Sequence, residues 1–111
     1  METEYEIFAR EHGRSLAAAG VKSFGFERKP ALAALAALRE SGLAVLGGEV
    51  YSAGNGELRL TYDNWSTERR SAESFDDFQT RSLAAAEHYI SNYRESEQAA
   101  TLYALVECER S

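Results

Sequence analysis

The chain has little of the material that makes staples, anchors or cofactor loops. Its 111 residues include a single cysteine, Cys108, which excludes an internal disulfide and any multi-cysteine zinc site. No apolar run approaches the roughly 20 residues of a membrane span. The charged start METEYEIFAREHGR lacks the apolar core of a signal peptide. These absences lead to the expectation of a cytoplasmic protein with no membrane partner. The only histidines are His12 and His88. Each falls on a predicted helix without a metal-ligand spacing partner, so both read as surface or packing residues and no metal is expected. The Gly54-Asn55-Gly56 turn lacks the lysine and the helix of a phosphate-binding loop, and no cofactor is expected. Basic charge is scarce too, with 12 Lys and Arg against 18 Asp and Glu, net −6. Direct nucleic-acid binding needs a basic surface to meet phosphates, so it is not expected.

What is present suits one folded domain spanning 1–111. The hydrophobic fraction is 44%, too high for disorder and enough for a modest core. Charge is uneven. Residues 1–29 are neutral, residues 30–60 carry a net −1, and residues 61–111 carry a net −5. A basic partner would be attracted; acidity also serves plain solubility.

Apolar spacing sets out the elements. Tyr5, Phe8, His12, Leu16 and Ala19 recur at steps of three and four, which predicts a helix over 4–19 stopped by Gly20. VKSFGF places Phe24 and Phe26 on one side of a short extended segment. Pro30 opens a second helix with Leu32, Leu35 and Leu38 as its apolar stripe, and Gly42 ends it. Leu43–Ser52 and Glu57–Asp63 read as strands joined at Gly54-Asn55-Gly56. NWSTERRSAE, residues 64–73, reads as a polar loop. Ser74 begins the longest helix, with Asp77 three residues on and an Asp77–Arg81 pair at i,i+4. Thr101–Glu109 is a last strand with Leu102, Ala104, Val106 and Cys108 on one face. The order predicts an α+β domain: a small antiparallel sheet with a central hairpin, its helices packed on one face.

Two glycines interrupt the first strand where it should be strongest, in LGGEVY. A three-residue loop would pair Ser52 with Leu58, Val50 with Leu60 and Gly48 with Tyr62. Apolar residues then share the core face. Gly47, Glu49 and Tyr51 join Arg59, Thr61 and Asp63 on the polar one. On this register Gly48 leaves room for the Tyr62 ring. Gly47 permits a close approach beside Glu49; a bulge at Gly47-Gly48 with no further role is the alternative. The polar face makes Glu49, Tyr51, Arg59, Asp63 and Trp65 candidate partner-binding residues, aromatic anchors amid polar groups. Gly47, Gly48, Tyr62 and Asn64 are candidate structural residues. Trp65 could instead plug the sheet edge, and Asn64 could serve loop hydrogen bonds.

LGGEVY at Leu46–Tyr51, TYDNW at Thr61–Trp65, RS at Arg81–Ser82 and YI at Tyr89–Ile90 occur in the order found in the immunity protein 40 family of bacterial polymorphic-toxin systems. The chain resembles that family over roughly residues 15–95. It departs at Glu49, where the family favours Asp; the charge survives on a longer side chain. The resemblance implies a small cytosolic antidote that binds and blocks a bacterial toxin domain, and the acidity suits a basic toxin. A monomer or weak dimer is expected. No catalytic residues are expected: Cys108 reads as buried on a core face, and Glu49 with Asp63 would form a carboxylate pair only on an open face without a pocket. The second reading is a non-catalytic regulatory or scaffold module that binds protein.

Overall fold

The computed structural model describes residues 2–110. Helix α1 (Glu4–His12) opens with a complete capping box. The Thr3 hydroxyl accepts the Glu6 N–H, and the Glu6 carboxylate accepts the Thr3 N–H, so two otherwise orphan donors are satisfied. The helix does not run on to Ala19 as its periodicity predicts. At Gly13 the backbone turns extended and passes so close to Phe24 that a Cβ would lie 2.8 Å from the Phe24 Cβ. Strand β1 (Arg14–Ser15) then pairs antiparallel with β2 (Phe24–Gly25) around a single 3-10 turn at Ala17–Ala19. Phe26 exchanges two backbone hydrogen bonds with Tyr103, of 2.9 and 2.7 Å. Residues 13–26 therefore wrap an edge of the main sheet instead of lengthening a helix.

Helix α2 (Arg28–Glu40) tolerates Pro30 in its first turn, where no intrahelical bond is lost. It buries Ala31, Ala34, Leu35 and Leu38. Helix α3 (Phe75–Asn92) is capped at its start by Ser74, whose hydroxyl accepts the Asp77 N–H at 3.1 Å. Its far end is capped from α2. Arg28 donates through Nε to the Ile90 carbonyl at 2.9 Å and through the guanidinium to the Tyr93 carbonyl, a cation where the helix dipole favours one. The i,i+4 pair expected of Arg81 does not form with Asp77. Arg81 takes Glu73 instead, in a two-pronged ion pair of 2.9 and 2.7 Å, whose planar geometry suits a guanidinium.

The main sheet is antiparallel, in the order β4-β3-β5, with β3 (Ala44–Gly54), β4 (Glu57–Ser66) and β5 (Ala100–Cys108). The fold is α+β, with the three α-helices on one face of a small sheet in which β3 is central and the β3–β4 hairpin makes one edge. Val45, Val50, Tyr103 and Leu105 meet Leu35, Leu38, Leu83 and Ile90 in the main core. The opposite face is not left to solvent along its whole length. Leu16, Ala19 and Val21 roof Tyr51, Leu102 and Ala104 there.

That second core explains the hairpin. Its loop has two residues, not three: Gly54 pairs with Glu57, and Asn55 and Gly56 both take left-handed backbone (φ 53° and 76°). Such a turn matches the right-handed twist of the strands, and Asn-Gly is its preferred sequence. Ala53 then pairs with Leu58 and Tyr51 with Leu60. Apolar residues reach both faces, as the expected register was meant to avoid. Leu58 and Leu60 pack half-buried against that second core, so apolar residues on this face are not left to solvent.

Candidate partner-binding site at the bulged edge

The segment Thr61-Tyr62-Asp63-Asn64-Trp65 forms the outer strand of the sheet. Tyr51 pairs with Leu60 and Glu49 with Asn64, so Val50 faces three residues of β4 where one would suffice. The surplus is a bulge of three residues against one. It is tied down by its own side chains. The Thr61 hydroxyl donates to the Val50 carbonyl at 2.8 Å and accepts the Asp63 N–H at 3.1 Å. The Asn64 amide donates to the Tyr62 carbonyl at 3.0 Å. Asp63 accepts a 2.6 Å hydrogen bond from the Tyr93 hydroxyl on the segment leaving α3. Tyr62 sits at the apex with φ 73°, a conformation that costs an ordinary residue about 1–2 kcal/mol. Its side chain is 80% exposed. The expected packing of Tyr62 over Gly48 does not occur.

Trp65 occupies that place. The bulge shifts the register so that Gly48 pairs with Trp65. A Cβ at Gly48 would meet the indole ring, and the Ala104 carbonyl at 2.5 Å. The other side of the indole stacks on Tyr89 of α3, with ring centroids 4.5 Å apart. Gly47 has φ 154°, and a Cβ there would run into the Trp65 carbonyl and lie 2.9 Å from the Ser66 Cα. The close approach at Gly47 is therefore made by this chain's own β4 backbone. The irregularity in β3 lies one residue earlier, between Val45 and Gly47 in the pairing with β5.

The residues proposed for one patch are thus distributed over several places. Glu49 and Asn64 stay together, directly opposite each other and exposed. Tyr51, expected on an open polar face, is 3% exposed beneath Leu16; burial, and then Glu49, raises its pKa. Trp65 lies on the helix-facing side, away from Glu49. Arg59 is two pairs down the hairpin and bonds to Glu57 at 2.5 Å. Asp63 reaches toward Tyr93, whose pKa is raised by burial first and then by this hydrogen bond. Val106, expected on a core face of β5, is 47% exposed, and Leu46 is 41% exposed. With Glu49, Asn64 and Ser66 they line a shallow groove over the part of the sheet that residues 16–21 do not roof. Leu46 and Val106 carried no signal in the sequence, since both lie in apolar stretches that read as core.

The remaining motif residues hold the frame. The Ser82 hydroxyl accepts the Val45 N–H at 3.2 Å and donates to the Gln79 carbonyl, fully buried. Arg81 also donates to the Glu68 carbonyl at 2.6 Å, so it fastens the loop after β4 to α3. Tyr89 stacks on Trp65 and Ile90 is core. His12 packs its ring 4.6 Å from Phe8, His88 lies exposed near Asn92, and Cys108 is half-buried beside Phe75 and Phe78. Among the described residues no group of three His, Cys, Asp or Glu side chains is placed to hold a metal ion. No helix there is long and apolar enough to cross a membrane.

A protein-family model described as immunity protein 40 matches residues 15–107. No curated protein and no solved structure matches the chain.

Proposed function

The chain belongs to the immunity protein 40 family, and from that premise we propose that it neutralises a toxin domain of a polymorphic-toxin system by binding and covering it. The family makes it an immunity protein; the binding surface and the mode of blocking are our reading. The binding surface is the unroofed half of the sheet with its bulged outer edge. One observation carries this. Glu49 is exposed and has no ion-pair partner among the described residues, and Leu46 and Val106 stand uncovered in the same groove; Asp63, also exposed and without an ion pair there, lies at the bulged edge. An apolar centre rimmed by unpaired charge of one sign is what a partner of opposite charge would complete. The partner is a basic toxin domain. Inhibition is non-catalytic and steric, in the cytoplasm, by a monomer or weak dimer.

Co-expression with a toxin domain, taken from the neighbouring reading frame where that frame encodes one, tests the reading. The wild-type chain should restore growth and co-purify with that domain. Glu49→Lys should bind about tenfold or more weakly, because it reverses charge at the rim, with an unchanged melting temperature. A wild-type chain that neither protects nor binds overturns the immunity reading. Undiminished binding by Glu49→Lys leaves immunity standing and moves the site off this face.

A further inference from the structure

Three of the five residues of TYDNW have side chains or backbone groups engaged in holding the fourth in the open. Thr61 ties the bulge to Val50 and to the Asp63 N–H, and Asn64 bonds the Tyr62 carbonyl. The result is a large aromatic ring in solvent, on a left-handed backbone that disfavours a bulky side chain. Neither packing nor solubility explains this. The ring touches no core cluster, and glycine or asparagine would suit the backbone better. Strain held in place by its surroundings, at an exposed side chain, marks a position where the ring itself is used. A rigid tyrosine also loses little side-chain entropy on binding, which is why such residues anchor interfaces.

The neighbouring charges say what the ring would meet. Asp63 follows it directly, and Glu49 lies across the bulge beside Asn64. Among the described residues the Asp63 side chain bonds to the Tyr93 hydroxyl, and Glu49 makes no ion pair. Among the described residues no ion pair joins a cation to either. An exposed aromatic ring on an edge that also carries carboxylates without an ion pair suits a guanidinium or ammonium group, by cation–π attraction and charge-assisted hydrogen bonding.

We propose that Tyr62 is the principal anchor of the interface, inserted with Asp63 into a concavity of the toxin domain lined by arginine or lysine. This rests on the immunity reading and names the chemistry of its contact. The bulge presents the anchor pre-formed, so binding needs no rearrangement of β4.

The test measures affinity for the toxin domain that the wild-type chain suppresses, alongside thermal melting of each variant. Tyr62→Ala should weaken binding about 30-fold or more, as truncation of an anchor does. Tyr62→Phe should retain affinity within about threefold, because the aromatic face remains, whereas Tyr62→Leu should not. Tyr62→Gly is the informative variant. It relieves the left-handed backbone, so it should melt no lower than wild type while binding as poorly as Tyr62→Ala. If Tyr62→Ala binds within about threefold of wild type, the anchor is elsewhere and only this inference falls. If Tyr62→Gly melts lower, the ring packs structurally and the inference also falls. If Tyr62→Leu binds as wild type, the contact is apolar and the cationic pocket is wrong. A wild-type chain that binds no toxin brings down the immunity reading itself, a separate result.

Discussion

The two glycines of LGGEVY do different work, and the difference is measurable. Gly47 is required by backbone: its φ and the nearness of the Trp65 carbonyl leave no room for a Cβ. Gly48 is required by a ring as well as by backbone, since the Trp65 indole lies over it with Tyr89 closing the other side, and the Ala104 carbonyl is close too. Gly48→Val should therefore destabilise by about 1–3 kcal/mol, the usual range for overpacking. The melting temperature should fall by several degrees, at about 4–8 °C per kcal/mol for a domain somewhat under this size. Part of the clash is with Trp65, so the cost should shrink in a Trp65→Leu background, which a double-mutant cycle would read as coupling, while the part set by the Ala104 carbonyl should stay. Unchanged melting of Gly48→Val, or purely additive effects with Trp65→Leu, would show that the indole does not rest on this glycine.

Between elements, one carboxylate fastens the loop that follows β4 to α3. Glu73 takes two hydrogen bonds from Arg81 and one from the Arg70 N–H. The Arg81 bonds, then the Arg70 N–H, lower its pKa from an ordinary 4.5 to about 2. A folded value below the unfolded one means that protons favour the unfolded chain. The contribution is complete above the ordinary value near 4.5 and is lost as pH falls toward about 2. Chemical denaturation of wild type and Glu73→Gln across this window should show wild type more stable at pH 6. The gap should narrow steadily on acidification. A gap of constant size would mean that the charge of Glu73 contributes nothing and only its shape matters. The elements that this clamp joins were legible in the sequence. The helix of Ser74 and the strands flanking Asn55-Gly56 follow from period and from turn chemistry. The register was not legible, because it depends on which faces are buried. Nothing in Arg14–Ser23 announces that this segment leaves α1 and roofs the far side of the sheet. Without that roof, Tyr51, Leu58 and Leu60 on one face look like an error, and the wrong loop length removes it. The exchange of Tyr62 and Trp65 follows from the same slip. A strand pattern assumes alternation, and the bulge at residues 61–63 resets it. Thr, Asp and Asn within five residues were the one local hint, since their short polar side chains bond to nearby backbone.

At the scale of the whole molecule, charge should govern how fast this protein finds its partner. The net charge is −6, and residues 61–111, which hold the bulge and α3, carry a net −5. Contacts such as the Trp65–Tyr89 stack or the Ser82 bridge are short-ranged and internal, so they shape the surface without reaching beyond it. The unpaired carboxylates act at a distance. Their field extends about one Debye length, about 10 Å at 0.1 M salt and about 3 Å at 1 M. On the proposed reading, a basic toxin domain would be steered toward the bulged edge before any contact forms. Stopped-flow mixing of the chain with the toxin domain should give an association rate that falls about tenfold or more between about 0.05 and 0.5 M salt, with a dissociation rate that changes far less. Glu49→Lys should flatten that dependence and slow association, whereas Tyr62→Ala should leave the salt dependence alone and speed dissociation. The two variants thus separate steering from anchoring. Salt-independent association would mean that the acidity of this surface serves solubility only. The binding face would then be recognised by shape, with Leu46, Val106 and the Tyr62 ring carrying the affinity without help from charge.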